Sequence, residues 1–376
     1  MKRSLHASAT LALASVSLLA LVGGCAPEPT TEAQAALDAV GEAVDHPPVL
    51  HAIEAEMDET GALHFPSSEA FFAALDTLNA MSPKQIDAWE DSLGFVSARR
   101  LFDKVMDAAG RAETEEEADA ILLSHPETVR VEGDLALPVI GAPGYAAVVG
   151  PEGVFFVADT VHKVLSEVIV SAEGGQRAAL DEALAQLEAS EPIEDMVELA
   201  DGVRAVRYDM TDQPKGRTGG CMASRNAFYN TSDRKVDFTI RTYRYYCAGC
   251  CGQYFYSVRV SWTLVGYKKW LGKWKSYKTS YNHRNVGYEI QAPVVTGYNG
   301  VSSIFHYGTF AHSFSPGESG GDYNSWTVGL QVGNTVQNAS IAVPAFDKVK
   351  GQGKSRGTGA NGWANICCGY AGGCGF

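Results

Sequence analysis

The sequence predicts an α+β chain. A helix-dominated acidic N-terminal domain over residues 35–210 precedes an antiparallel β-sandwich-like, disulfide-containing domain over residues 211–376. Three observations predict this. Apolar residues recur at helical spacing in the first stretch and at every second position in the second. The charge reverses between them: after Cys25 and before Met210 there are 10 Lys/Arg against 37 Asp/Glu, and from Thr211 onward 18 against 7. Aromatics and sulfur divide at the same place, with 14 of the 16 Tyr, 5 of the 6 Trp and every Cys except Cys25 in the second stretch. The polar segment Thr211 to Gly220 is the expected linker. A chain of 376 residues is long enough for two cores, and a 45% hydrophobic composition excludes a disordered polymer.

Met1-Lys2-Arg3 is a short positive start, and Leu11 to Val22 is uncharged and apolar. That stretch suits a signal peptide and is too short for an anchor helix. Leu21-Val22-Gly23-Gly24-Cys25 resembles the bacterial lipobox. The resemblance implies removal of residues 1–24, acylation of Cys25, and a linker over residues 25–34. An ordinary secretory peptide with an incidental Cys is the alternative. Several acyl chains give stable membrane attachment. Ala26, where an Asp would signal inner-membrane retention, favours the outer membrane by analogy with other lipoproteins, on its periplasmic or cell-surface face.

In the acidic stretch, Phe71, Leu75 and Leu78 form a helical stripe. Ser82-Pro83 is an N-cap with Pro at the first helical position, Ile86, Trp89 and Leu93 continue the helix, and Gly94 stops it. Leu101, Val105 and Ala109 form the next stripe, and Leu180, Leu184 and Leu187 a later one. All are core faces rather than ligand sites. Between them, Val154 to Val157, Val161 to Val164 and Val168 to Val170 read as short strands, with Pro151-Glu152-Gly153 as a turn.

Trp89-Glu90-Asp91-Ser92-Leu93-Gly94-Phe95-Val96-Ser97 and Gly153-Val154-Phe155-Phe156-Val157-Ala158-Asp159-Thr160-Val161-His162-Lys163 carry a resemblance. They are similar to the N-terminal region of uncharacterised bacterial surface lipoproteins, over roughly residues 65 to 172. The resemblance implies a lipid-anchored exported protein and brings no catalytic residue with it.

In the basic stretch the alternation is strongest from Tyr254 to Leu264. Tyr256, Val258, Val260 and Trp262 share one face, while Ser257, Arg259, Ser261 and Thr263 share the other. Val236, Phe238 and Ile240 alternate likewise, as do Val286, Tyr288 and Ile290, and then Trp326, Val328, Leu330 and Val332. Ile341 and Val343 suggest another strand. One apolar face per strand predicts sheets buried on one side, hence a sandwich or barrel. The tail from Gly351 to Phe376 shows little alternation. Its Cys367, Cys368 and Cys374 are expected to be stitched to Cys247, Cys250 and Cys251, with Cys221 as a seventh thiol. Closing so long a loop stabilises by about 4 kcal/mol in the chain-entropy model. Seven is odd, so one thiol is left over or pairs between chains. Cys247-Ala248-Gly249-Cys250 has zinc-knuckle spacing, but Cys367-Cys368 lacks the matching gap, so neither a metal nor a cofactor is expected.

Gly317-Glu318-Ser319-Gly320-Gly321 fits the pattern of a nucleophile elbow. Its flanks, Ser315-Pro316 and Asp322-Tyr323-Asn324, are loop chemistry, and no His follows His312. An exported serine hydrolase using Ser319 is therefore the rival reading, and no catalytic residue is assigned. His283, His306 and His312 form no recognisable metal triad.

The segment Tyr267 to Lys278 has the best claim to function. Lys268, Lys269, Lys273, Lys275 and Lys278 interleave with Tyr267, Trp270, Trp274 and Tyr277, without an acid. Rings stack on sugars, and ammonium groups attract phosphate, sulfate or uronate. The plainer alternative is a hairpin whose rings pack inward while lysines blunt a sheet edge. The expectation is a non-enzymatic envelope or surface binding protein, for an anionic glycan or polyanionic partner rather than nucleic acid. A purely structural envelope component, with the acidic stretch capping the basic one, is the third reading.

Overall fold

Local sequence signals fold as expected in the first stretch. The computed structural model describes residues 52–132, 135–188, 193, 196–209, 223–231, 233–248, 253–270, 273–298, 303–337, 348–355 and 362–368. Helix α1 (Ser68–Ala80) buries Phe71, Leu75 and Leu78. Helix α2 (Pro83–Leu93) begins in a capping box between Ser82 and Gln85 and ends at Gly94, whose φ of 68° is left-handed. Ser97 caps α3 (Ala98–Arg111). Thr114 caps α4 (Glu115–Leu123), whose first turn carries three Glu against the positive end of the helix dipole. Two further helices are α5 (Pro143–Val148) and α6 (Arg177–Glu188).

The helices do not dominate. Strands β1 (Glu56–Met57), β2 (Leu63–Phe65), β3 (Val129–Glu132), β4 (Leu135–Pro138), β5 (Val154–Val157), β6 (Thr160–Val164), β7 (Val168–Ala172), β8 (Met196–Ala200) and β9 (Val203–Arg207) precede residue 210. All but the β3–β4 pair join one seven-stranded sheet, in the order β1-β2-β5-β6-β7-β9-β8. Among the described residues, only the β2–β5 pairing is parallel. The expected helix-dominated domain is thus corrected to a sheet clad by helices. Strands as short as β1 and β2 leave no two-residue period to read, so that end of the sheet went unseen. Leu180 and Ala183 of α6 cover Val161, Val170 and Ala205 on one face of the sheet. Phe155, Val157, Ile169 and Val206 face the main core on the other.

The remaining strands are β10 (Ala223–Thr231), β11 (Arg234–Ala248), β12 (Tyr254–Trp270), β13 (Lys273–Ser276), β14 (Tyr281–Tyr298), β15 (Ser303–Phe314), β16 (Gly317–Glu318), β17 (Ser325–Gln337), β18 (Lys348–Ser355) and β19 (Ala364–Cys368). They form two five-stranded antiparallel sheets. One runs β10-β11-β12-β13 with β17 also on β12, and the other runs β15-β14-β18-β19 with β16 also on β14. The sheets meet where the glycines of β18 let them approach. A methyl group on Gly351 would lie 2.7 Å from Trp262 Cδ1, and one on Gly353 would lie 2.5 Å from Leu264 Cδ2. Ile341, Val343 and the Thr211 to Gly220 linker fall outside the described residues.

The expected single buried face is also overturned. On β12 the even positions Tyr256 to Leu264 are buried, but so are Ser257, Arg259 and Ser261. Helix α1 covers that second face. Arg259 bonds to the Asp76 carboxylate and reaches the Phe72 carbonyl at 3.4 Å. The tyrosines of β11 lock into the loop that begins α5. Tyr243 donates to the Gly141 carbonyl (2.9 Å) and Tyr245 accepts from the Gly144 N–H (3.0 Å). Tyr145 both donates to the Tyr246 carbonyl (2.9 Å) and accepts from its N–H (2.7 Å). These phenols bury large rings and still satisfy their hydroxyls, which suits them to a junction. One hydrophobic cluster therefore runs from Leu63 to Ile366, and Val44–Phe376 form one compact unit.

The disulfide expectation is corrected at Cys247. Cys247 is a free thiol, fully buried on β11, and burial pushes its pKa up. Cys367 and Cys368 lie half-buried on β19, while Cys25, Cys221, Cys250, Cys251 and Cys374 lie outside the described residues. Strand pairing organises the start of the tail, because β18 pairs with β14 on one side and β19 on the other. Cysteine spacing counts sulfurs but carries no strand register, which is why it misassigned Cys247.

Candidate functional site

The lysine- and tryptophan-rich segment is the β12–β13 hairpin. Tyr267 pairs with Ser276, Lys268 with Lys275, Lys269 with Trp274 and Trp270 with Lys273. Its base is pinned at Gly266. The N–H of Gly266 donates to the Tyr281 hydroxyl (2.7 Å), which donates in turn to the Asn324 carbonyl (2.7 Å). A methyl group on Gly266 would lie 2.9 Å from Thr279 Cγ2, so only glycine lets the strand pass this close.

The two faces of the hairpin differ. On one, Lys235 of β11 lies 4.8 Å from the Tyr267 ring centroid and 5.5 Å from that of Trp274, with its ammonium 3.6 Å from Asp237. Tyr267 and Ser276 there line a cavity toward the N-terminal helices. The other face carries a cross-strand row. Arg234 on β11 is opposite Lys268, and Lys268 is opposite Lys275. Arg234 sits 4.7 Å above the Tyr277 ring. Lys268 is exposed, and so is Lys269, which alternates to the first face beside Trp274. Like charges directly opposite one another oppose strand pairing, by up to about 1 kcal/mol each, and a bridging anion relieves that repulsion.

Lys278 behaves differently. It pairs with Asp107 of α3 at 2.5 Å and so ties the hairpin to the acidic stretch. Asn324 adds to the tie by donating to the Asp103 carboxylate at 3.2 Å. Burial raises the Asp103 pKa to about 6, although Arg99 and the Asn324 hydrogen bond favour its charged form. Neutralisation between the two stretches thus uses Lys278 and Arg259. Of the other predicted residues, Trp274 and Tyr277 are half-buried, while Trp270, Lys273 and Lys275 are described by strand position alone.

Sequence reading missed Arg234 and Lys235. Both follow the β10–β11 turn and stand next to the recognised Val236-Phe238-Ile240 alternation. Only the pairing register brings them beside Lys268 and Tyr267.

Ser319 is buried in the turn after β16. Its hydroxyl donates to the Gly321 carbonyl (2.6 Å) and accepts from the Tyr281 N–H (3.2 Å), so both roles serve the turn. His283 is buried and donates from Nε2 to the Trp326 carbonyl at 3.1 Å. His306 and His312 lie on β15. Among the described residues no group of three or more His, Cys, Asp or Glu is placed to hold a metal.

The segments that carry the lipoprotein resemblance have structural roles. Glu90 is fully buried, accepts from the Ser97 hydroxyl (2.6 Å) and pairs with Arg99 (3.0 Å), which closes the α2–α3 joint around Gly94. The second segment is the β5–β6 hairpin, turning at Ala158 with a positive φ of 52°.

No family model and no curated protein matches the chain. Among solved structures, the chain is similar to a DUF4848 family protein from Bacteroides thetaiotaomicron VPI-5482. The identity is 16%, the match covers 84% of this chain and 100% of that one, and the TM-score is 0.27.

Proposed function

We propose that the protein is a lipid-anchored outer-membrane component that binds an anionic glycan, without catalysing a reaction, through the β12–β13 hairpin and the start of β11. The observation that carries this reading is the Arg234–Lys268–Lys275 row, three cationic positions side by side across three strands. A linear polyanion laid across the strands would meet a cation on each. Half-buried Tyr277, beneath Arg234, adds ring surface on that face. The anchor rests on Cys25 and the apolar segment before it.

The test uses the purified chain with dextran sulfate and polygalacturonate as probes. Replacing Lys268, Lys269, Lys273 and Lys275 with Ser is expected to weaken binding at least tenfold. It should also flatten the dependence of log K on log salt by on the order of three units, if counterion release here resembles that on single-stranded nucleic acid. Unchanged affinity in the quadruple variant, or affinity indifferent to salt, rejects the reading. The structural-component reading, supported by the Lys278–Asp107 pair, gains if neither probe binds.

A further inference from the structure

Beneath the hairpin, between β12 and the N-terminal helices, lies a cavity of about 150 Å³. Its walls are mainly apolar, with Ile86, Phe102, Pro138, Ile140, Val265 and Tyr267 contributing. Most polar groups on the wall are already engaged. Thr263 and Thr327 bond to each other at 2.8 Å. Arg99 is matched by Asp87, Glu90 and Asp103, at 2.5, 3.0 and 3.6 Å. Asp103 accepts from Asn324. Charge is therefore balanced at this wall, and an ionic ligand would find no counter-ion to spare.

Three buried donors on the wall lack a hydrogen-bond partner: Arg99 Nε, Trp326 Nε1 and Asn79 Nδ2. Asn79 is the neutral amide among them, near the end of α1 and 6% exposed. Buried amide donors are rarely left unmade, because an unmade bond forfeits the solvation the group gave up. The cavity thus offers a mainly apolar space with a few open donors, Asn79 Nδ2 among them. An apolar cavity of about 150 Å³ is known to accept benzene.

We propose that this cavity is a binding site for a small neutral molecule, with an apolar body about the size of one six-membered ring and a single hydrogen-bond acceptor directed at Asn79 Nδ2. The site is separate from the cationic row and does not depend on polyanion binding. The acceptor sets the preference among ligands, and the enclosure sets their size.

The experiment is saturation-transfer NMR on the full chain with cyclohexanone and its isostere methylenecyclohexane, which lacks the acceptor. The wild type is expected to bind cyclohexanone saturably and at least fivefold more tightly than methylenecyclohexane. Val265→Phe, which places a ring in the cavity from β12, is expected to abolish binding of both. Asn79→Leu keeps the shape and removes the donor, so it is expected to bring the two affinities within twofold of each other. Lack of saturable binding to the wild type overturns the proposal. So does a preference for cyclohexanone that survives in Asn79→Leu, and so does undiminished binding to folded Val265→Phe.

Discussion

Between pH 7 and pH 4.5 the folded state should lose up to about 3 kcal/mol of stability, through His162 and His283. Both rings are fully buried, and burial penalises the charged form. It brings His162 from 6.5 down to about 3 and His283 from 6.5 down to about 4. His162 stacks on Phe155 with ring centroids 4.7 Å apart and bonds to the Ser171 hydroxyl at 2.7 Å, contacts that suit a neutral imidazole. The unfolded chain takes up a proton on each ring near pH 6.5, and the folded chain does so only far lower. This stability is therefore complete above pH 6.5 and drains away as the pH falls toward the folded values. Asp103 works in the opposite sense. Raised from 3.8 to about 6, it binds its proton first in the folded state and returns stability between pH 6 and pH 4. Glu90, raised by burial, has the same sign. Two protons against the one on Asp103 leave a net loss of at most about 1.4 kcal/mol per pH unit below pH 6, which Glu90 lessens. Urea unfolding across this range checks it. His162→Gln should leave the curve nearly flat and Asp103→Asn should make it about twice as steep. An unaltered slope in His162→Gln would show that the ring is not held neutral.

Gly353→Ala should destabilise the protein by about 1–3 kcal/mol, and Gly353→Val by more. Gly353 is opposite His283 on β14, in the middle of the inter-sheet contact. The added carbon would lie within 3.0 Å of three atoms of the Leu264 side chain, which is fully buried. Leu264→Ala alone should cost about 2–5 kcal/mol as a cavity. Combined with Gly353→Ala it should cost less than the sum, because the clash and the cavity cancel. Strict additivity in denaturant unfolding would place the two residues apart and reject the packing of β18 on β12.

The parts of the fold that were legible in the sequence are the local ones. Ser82, Pro83 and Gly94 start and stop a helix through bonds to their own neighbours, so the helix between them could be read directly. Val154 to Val157 and Tyr254 to Leu264 declare strands by their period. What stayed hidden depends on which distant segments meet. The polar face of β12, Ser257 to Ser261, reads as solvated until α1 is known to cover it. Arg259 resembles a surface cation, yet it is 1% exposed and bonded to Asp76. Gly351 and Gly353 read as a loose tail, whereas they are the contact between two sheets. The candidate site was half legible for the same reason. Its lysines are contiguous in sequence, while Arg234 joins them only through strand register. Asn79 carries no sequence signal at all, since an open donor is defined by what surrounds it.

The claim that the hairpin row is the polyanion site is tested most directly by amide hydrogen exchange on the full chain, with and without saturating dextran sulfate. Slowed exchange is expected over residues 266–278 and, through register alone, over residues 233–236 at the start of β11, with α6 and β8 unchanged. Bound polymer that leaves both segments exchanging at their free rates, while slowing another part of the chain, would contradict the assignment.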